Sequence, residues 1–345
     1  RNPMGGQTTR AICALPALIG QYGVRGGGLA YSTSGYLQWD GAAINKWAEC
    51  PPPGRVVNMN RLGAALLGEV SDPPIMSLYV FASNPAAIAP NAGLVAQGLM
   101  RDDLFTVVHE LFLTDTADYA DIVLPATSNL EQTDLHKAYG HTLLRYNHPA
   151  IPPLGESLSN WDVMRRLAAE MGFAEPWLRQ DAEAVIDEVL TATAVRSPFL
   201  RDVTLARLKT EGQVALQIGP EAPFADGRFP TPSGQVELYS ARLAAEGHDP
   251  LPNYSGIWDD GEPLPEREPE GNREQPSRRW RAVQGDEPLD LITPAAHHFV
   301  TSSFGNGRSQ LRGEGAATVE IHPADAAARG IAHGDLVVVE NGRGA

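Results

Sequence analysis

The sequence predicts an α/β protein with a doubly wound, mostly parallel sheet, followed by a small β-barrel domain. Three observations predict this class. Between residues 74 and 172, apolar runs of strand length alternate with helix-periodic segments, a pattern typical of parallel sheets. The stretch 259–287 is rich in acids, arginines and prolines, which is typical of a linker or surface loop. From residue 288 onward, short β-like runs dominate the sequence.

The individual elements follow from periodicity and from the residues that end helices. The first helix ends at Gly20, because glycine accepts the left-handed backbone that commonly follows a helix. The segment 161–171 places its apolar residues on one face, and Gly172 closes it. The segment 229–245 is predicted to contain a turn, a short strand around Val236 and Leu238, and the start of a helix. In chain order, the predicted helices lie at 8–19, 91–100, 114–119, 161–171, 182–194 and 323–329, and the other predicted strands at 76–82, 105–108, 121–125, 289–292, 318–321 and 336–339.

Composition and charge exclude several classes of function. A chain of 345 residues suits two or three domains. Its 27 basic and 42 acidic residues give a formal charge of −15, which argues against nucleic acid as a partner. No apolar run reaches the roughly 18–20 residues that a membrane helix needs. Cys13 and Cys50 are not part of a CxxC motif or a Cys/His cluster, so we expect no zinc or iron–sulfur site built from this chain and no disulfide framework.

Polar residues follow two neighbouring predicted strands, where parallel α/β sheets bind their ligands. Asn84 and Pro85 come directly after the strand at 76–82, and an asparagine there can bond a ligand or its own turn. Glu110, Thr114 and Thr116 follow the strand at 105–108. Thr114 is a natural helix N-cap, but free amides at such a position also suit a phosphate. The residues alone leave both alternatives open.

Other candidate residues carry weaker signals. The glycines at 26–28 lack the GxGxxG spacing after a strand and do not form a phosphate-binding P-loop, which argues against an NAD-binding Rossmann enzyme. His298, Ser302 and Asn306 lie in the last predicted domain. They could face an active site, although capping or surface roles explain such residues equally well.

Six segments, in chain order, resemble the molybdopterin-dependent oxidoreductases of the dimethyl sulfoxide reductase type, which include formate dehydrogenases and nitrate and polysulfide reductases. The most specific segment is ELFLTDTADYADIVLP at 110–125, with Glu131 downstream. The segment HHFVTSSFGN at 297–306 is more similar to a poorly characterised branch of this family, which leaves the substrate open. Apart from 297–306, which is not one of the six, the other five segments are the glycine-rich region at 5–28, SNP at 83–85, GESLSNWDVMRRLAAEMG at 155–172, TPSG at 231–234, and IHPADA at 321–326.

The resemblance implies a bis-molybdopterin guanine dinucleotide that carries molybdenum or tungsten. It implies that one nucleotide is bound near Asn84, Pro85, Glu110, Thr114 and Thr116. A second group of residues would approach the pterin from the last domain: His298, Ser302 and Asn306. The family's metal ligand and its [4Fe–4S] cysteines belong to an upstream segment, so we expect no metal ligand in this chain and leave the catalytic residues unassigned.

The resemblance also implies a domain organisation. Residues 1–73 would end one α/β cofactor-binding domain, and 74–258 would form the α/β molybdopterin oxidoreductase domain. Residues 259–287 would be a linker or surface loop, and 288–345 an incomplete dinucleotide-binding barrel of the double-psi type. We therefore expect a truncated C-terminal fragment of an oxidoreductase, which would not turn over substrate as an isolated chain.

The predicted function is cofactor binding for two-electron redox chemistry on a small substrate. The alternative is a metal-free structural subunit of a respiratory electron-transfer complex with the same fold. We expect a small-molecule redox substrate, an iron–sulfur electron-transfer subunit as a candidate partner, no nucleic acid and no membrane segment. The expected compartment is the cytoplasm, with the periplasm left open.

Overall fold

The computed structural model describes residues 5–46, 48–50, 54–70, 72–219, 222–253, 289 and 291–341. The linker predicted at 259–287 lies outside these residues. The helices are α1 (Gly5–Leu18), α2 (Gly41–Asn45), α3 (Leu62–Leu66), α4 (Pro85–Ile88), α5 (Ala92–Leu99), α6 (Asn160–Glu170), α7 (Ala182–Arg196), α8 (Leu205–Glu211), α9 (Ala241–Ala245), α10 (Arg308–Glu314) and α11 (Pro323–Ala328). The strands are β1 (Ser77–Phe81), β2 (Phe105–Glu110), β3 (Ile122–Pro125), β4 (Asp134–Lys137), β5 (Leu143–Asn147) and β6 (Gln213–Ala215).

The first sheet is parallel and has the strand order β1-β2-β3. Helices α4 and α5 connect β1 to β2, and a 3-10 turn at Ala117–Tyr119 leads into β3. The mixed α/β class and the parallel pairing predicted from the sequence are thus confirmed. The doubly wound order is not, because the strand order does not reverse within the described part of this sheet.

Two glycines allow α3 and α5 to pack closely beside this sheet. A Cβ atom on Gly63 would lie 2.7 Å from the Cβ of Leu94, and one on Gly98 would lie 2.6 Å from the Cβ of Leu66. Both distances are shorter than real carbon contacts, so only glycine permits this approach. A buried cluster results: Leu66, Val95, Leu99 and Leu104.

A second, antiparallel sheet has the order β4-β5-β6, and the sequence analysis did not predict it. Its inner face carries Leu144 and Tyr146, which alternate with outward side chains as expected for a half-buried strand. Helices α7 and α8 supply the other side of this core. The buried members are Leu37, Leu144, Tyr146, Leu190, Leu200, Val203, Leu208, Val214 and Leu216.

The segment around α2 packs against this second core, although it is distant in sequence from the strands and helices that form the core. The backbone amide of Asp40 donates to Thr193 Oγ1 over 3.0 Å, and Lys46 pairs with Glu188 on α7. Leu37 is 1% exposed within the core itself. Residues before the predicted boundary at 73 therefore share a core with residues beyond 134, and the boundary itself remains a prediction.

Several predicted helices are confirmed, and the cap of α6 shows why it begins where it does. Ser159 Oγ accepts a hydrogen bond from the amide of Asp162 over 3.1 Å, and Gly172 follows the helix with a φ of 79°. The helices α1, α5, α6, α7 and α11 all overlap the segments that periodicity had indicated. No helix in the described residues is long and apolar enough to cross a membrane.

The predicted strands in the last segment are wrong for the part that the structure describes. Residues 291–292, 318–321 and 336–339 are not strands, and neither are Val236 and Leu238. The relative exposure of Leu336 is 102% and that of Val338 is 75%. A strand exists only when a partner strand pairs with it, and among the described residues these runs find none. The β-barrel is therefore not confirmed.

Candidate functional site

The candidate site lies where β1 and β2 end side by side. The pairing of Phe81 with His109 brings the two strand ends into register. Asn84 follows β1 at the start of α4, and the segment 111–116 follows β2. The sequence prediction that these two turns meet at one edge of the sheet is confirmed, because Asn84 contacts Asp115 and Thr116 directly.

Asn84 and Thr116 join the two turns through a buried hydrogen-bond network. Asn84 Oδ1 accepts from the amide of Thr116 over 3.1 Å and from its hydroxyl over 2.7 Å. Asn84 Nδ2 donates to Asp115 Oδ2 over 2.8 Å. The Thr116 hydroxyl oxygen also accepts from the amide of Ala86 over 3.1 Å. With exposures of 3% for Asn84 and 0% for Thr116, these side chains hold the turns together. We call this network the turn clasp.

Pro85 supports the clasp from the next position. It is buried as the first residue of α4, where a proline costs nothing because the first helical amides have no carbonyl partner. Its fixed φ also sets the direction in which the chain leaves Asn84. The contact of Asn84, Pro85 and Thr116 with a nucleotide remains a prediction, and their observed contacts are with one another.

Thr114 differs from Thr116, although both are buried. Its carbonyl accepts from the amide of Ala117 over 2.8 Å, but its hydroxyl has no hydrogen-bond partner. Its exposure is only 6%. The N-cap alternative is therefore wrong, since a capping hydroxyl would accept from a nearby amide. A buried hydroxyl without a partner costs about 1–3 kcal/mol, so this one calls for a ligand or an ordered water.

The loop beside Thr114 offers further unpaired donors. The backbone amides at positions 112–115 donate no hydrogen bond within the described structure. The preceding amide, that of Leu111, donates to Glu110 Oε1 over 2.7 Å. Side chains 111–113 are exposed, with Leu113 at 77%. Successive free amides beside a strand end form a concavity that favours an anion.

Glu131 has a structural role in the chain that follows β3. Its carboxylate accepts from the amide and hydroxyl of Ser128 over 2.7 and 2.6 Å, and from the amide of Leu154 over 2.7 Å. These bonds, those from Ser128 first, hold the pKa of Glu131 below its usual value. The residue ties the chain after β3 to the segment before α6, which explains an acid at this position without a ligand.

His109 was missed by the sequence analysis. It is fully buried in β2, its Nε2 lies 3.2 Å from the carbonyl oxygen of Leu158, and its Nδ1 has no partner. The hydroxyl of Ser157, the residue before Leu158, is also buried and has no hydrogen-bond partner. The only sequence signal was its position directly after the predicted strand at 105–108, and its burial became evident only from the fold.

The residues predicted in the last segment form a separate local structure. His298 packs on Gly313 of α10, where an added Cβ would lie 2.9 Å from His298 Nε2. Its backbone amide donates to Glu314 Oε2 over 3.0 Å. Ser302 and Asn306 lie in the two tight turns that precede α10, and the Ser302 carbonyl accepts from Gly305. Their approach to a pterin remains a prediction.

The residues at the strand ends fit a phosphorylated ligand. Unpaired amides at 112–115 and the unpartnered hydroxyl of Thr114 are the donors that phosphate oxygens accept from. No group of three or more His, Cys, Asp or Glu side chains in the described ranges is placed to hold a metal ion. The fold and the site together define an α/β protein whose sheet edge suits an anionic group such as a phosphate.

Comparison with known families identifies the family of the chain. Residues 1–170 match the family model "Molybdopterin oxidoreductase", and residues 289–345 match "Molydopterin dinucleotide binding domain". The two matches together span more than half of the chain. The chain belongs to the molybdopterin oxidoreductase family, as its sequence motifs had indicated.

Individual relatives agree with the family models. The chain is 37% identical to "Probable oxidoreductase YoaE" of Bacillus subtilis, over 99% of this chain and 46% of that protein. It is 27% identical to the dimethyl sulfoxide/trimethylamine N-oxide reductase of Cereibacter sphaeroides, over 99% of this chain and 44% of that protein. Among solved structures it is similar to acetylene hydratase from Pelobacter acetylenicus, with a TM-score of 0.41, 27% identity, and coverage of 58% of this chain and 26% of that one. The chain spans about half the length of the curated relatives it matches.

Proposed function

We propose that this chain binds one guanine dinucleotide of a molybdenum or tungsten bis-molybdopterin cofactor and serves a two-electron oxidoreductase. The observation that carries the proposal is the unpartnered, buried hydroxyl of Thr114 beside four unpaired backbone amides at a strand end. The match of residues 1–170 and 289–345 to the two molybdopterin family models supports the identity of the ligand.

Each residue at the sheet edge has a distinct proposed role. Thr114 and the amides at 112–115 would donate to phosphate or ribose oxygens. Asn84 and Thr116 would hold the two turns at a fixed separation through the clasp, and Glu110 would fix the first amide of the loop. Pro85 would set the exit of α4. The bound cofactor supplies the redox chemistry at its metal, and the protein supplies binding and orientation.

A chain with a formal charge of −15 can still bind an anionic cofactor, because these contacts are local. Aligned amide dipoles act within a few ångströms, whereas exposed charges more than about 10 Å away are largely screened at 0.1 M salt. The donors at 112–115 therefore need no positive domain charge. This argument separates the proposed site from a nucleic-acid site, which needs an extended basic face.

The last segment would complete the cofactor site. We propose that 288–345 belongs to a dinucleotide-binding barrel and that His298, Ser302 and Asn306 approach the pterin. The match of 289–345 to the dinucleotide-binding family model supports this placement.

The experiment is a cofactor analysis of the protein purified with its cofactors preserved. Molybdenum and tungsten are measured by mass spectrometry, and acid-released guanylate by chromatography, per mole of chain. We expect two guanylates per metal ion. The control is the Cereibacter sphaeroides reductase from the same expression host, which must be loaded. Metal-free and guanylate-free protein beside a loaded control would overturn the proposal and favour the metal-free structural subunit.

The substrate and partners are proposed only as classes. The relatives of the chain include proteins named as formate dehydrogenases and a nitrate reductase, which supports a small-molecule redox substrate. An iron–sulfur protein is the proposed electron partner, and any [4Fe–4S] cluster and metal ligand would come from outside this chain. We propose the cytoplasm as the compartment, with the periplasm as the alternative. Both free cysteines, Cys13 and Cys50, suit a reducing environment.

A further inference from the structure

A polar groove of about 730 Å³ lies along the second sheet, and none of the residues at the strand ends of the first sheet lines it. The register of β4, β5 and β6 places Arg145 directly between His136 and Gln213. Leu144 and Tyr146, which flank Arg145 in sequence, are buried in the core below. Since side chains alternate along a strand, Arg145, His136 and Gln213 form a row on the outer face.

The other charged residues that line this groove already have partners. The Lys137 ammonium donates to the backbone carbonyls of Leu37 and Ser34, on the core side of the sheet. The carboxylate of Glu211 accepts a hydrogen bond from Arg207, with 2.7 Å between Arg207 Nε and Glu211 Oε1. These side chains are thus not available to balance the charge of a neighbour.

The guanidinium of Arg145, by contrast, has no partner. It makes no hydrogen bond or ion pair in the described structure, although a guanidinium presents five donors. His136 Nε2 lies 4.0 Å from Asp134 Oδ2, beyond hydrogen-bond distance, so this ring nitrogen is also available. The side-chain amide of Gln213 makes no hydrogen bond in the described structure either. Arg145 therefore presents its donors to the groove without a bound carboxylate or carbonyl oxygen among the described residues.

We propose that this groove binds an anionic group, a carboxylate or a phosphate, with Arg145 as its principal ligand. A planar guanidinium matches two oxygens of such a group at once, which is why arginine recognises carboxylate and phosphate in a fixed orientation. His136 and Gln213, directly opposite on the adjacent strands, lie close enough to donate to the remaining oxygens. The anion belongs either to a free ligand or to a bound cofactor.

The test compares the purified holoprotein with three variants. Arg145→Gln removes the charge, and Arg145→Lys keeps the charge but loses the two-pronged geometry. Arg166→Gln is the matched control, because Arg166 is an exposed arginine on α6 without a partner in the described structure. Phosphate and acetate are titrated at constant ionic strength against chloride, and the melting temperature gives the apparent dissociation constant. Metal and guanylate contents are measured in the same samples.

Two results support the proposal and separate the sources. For a free anion, phosphate or acetate raises the melting temperature of the parent protein. Arg145→Gln weakens this binding about tenfold or more, Arg145→Lys weakens it less, and the cofactor content stays unchanged. For a cofactor phosphate, the added anions have no effect, but Arg145→Gln lowers the guanylate content. The proposal is overturned if Arg145→Gln changes neither property, or if Arg166→Gln changes them equally. Loss of anion binding in a metal-free protein would still support the groove, independently of the proposed cofactor.

Discussion

Thr114 and Thr116 provide a matched pair for testing the site, because both are buried threonines of one turn with opposite hydrogen bonding. The hydroxyl of Thr116 donates to Asn84 Oδ1 over 2.7 Å and accepts from the amide of Ala86 over 3.1 Å. The hydroxyl of Thr114 does neither. Replacing each by valine keeps the side-chain shape and removes only the hydroxyl.

The expected stability changes follow from these contacts. Thr116→Val removes two hydrogen bonds, each worth about 1 kcal/mol net, and leaves a partly buried amide unpaired. We expect the free energy of unfolding to fall by about 2–3 kcal/mol. Thr114→Val removes a buried hydroxyl that has no partner, so the cofactor-free protein should keep its stability or gain about 1 kcal/mol.

Two measurements separate the roles of the two threonines. Urea unfolding of the cofactor-free protein, followed by circular dichroism, gives the stability change, and the metal and guanylate contents of the holoprotein give the binding change. We expect Thr114→Val to lose cofactor at unchanged stability. Thr116→Val should lose stability, and its folded fraction should retain more cofactor than Thr114→Val.

A reversed pattern would refute the reasoning. If Thr114→Val destabilises the cofactor-free protein as much as Thr116→Val does, then its hydroxyl bonds the protein and not a ligand. If Thr114→Val retains full cofactor content, the hydroxyl does not contact the dinucleotide, and the proposed donor role of this turn fails.

Three further predictions concern the surrounding structure. The hydrogen bonds from Ser128 lower the pKa of Glu131, so the stability that its carboxylate contributes is present above its unfolded-state pKa and is lost as the pH falls through its folded-state pKa. Glu131→Gln should therefore flatten the acid limb of a curve of unfolding free energy against pH. An unchanged acid limb would contradict this. Gly98→Ala should lower the free energy of unfolding by about 1–3 kcal/mol, since its Cβ would lie 2.6 Å from that of Leu66, whereas tolerance without loss would show that the helices can separate. Burial raises the pKa of Tyr146 to about 12, so Tyr146→Phe should leave the tyrosinate absorbance at pH 10 unchanged, and a drop there would show an ordinary phenol.

The turn at 110–125 shows how far local sequence can specify a site. Strand and turn patterns placed Asn84 and Thr114 at adjacent strand ends, and the structure joins the two turns through Asn84. The local sequence cannot, however, reveal which of the two threonine hydroxyls has a hydrogen-bond partner. That depends on Asn84, about thirty residues away, because its single amide bonds Thr116 and leaves Thr114 without a partner.

The second sheet shows the opposite case. Its strands are short, and β6 lies far along the chain from β5, so no local pattern revealed their pairing. Only the register reveals that Arg145 stands between His136 and Gln213. In the last segment the apolar alternation did suggest strands, but without partner strands among the described residues this suggestion was not realised.

The amino-acid sequence determined the family, the parallel α/β framework and five of the eleven helices in the described residues, because periodicity, glycine stops and strand-end motifs are encoded by neighbouring residues. Tertiary structure alone decided which polar groups are paired. Thr114 has an unused donor because Asn84, from a distant part of the chain, bonds Thr116, and Arg145 lies between two strands whose paired side chains do not bond its guanidinium. Hydrogen bonding and charge balance depend on distances in space, and these arise only when the chain has folded.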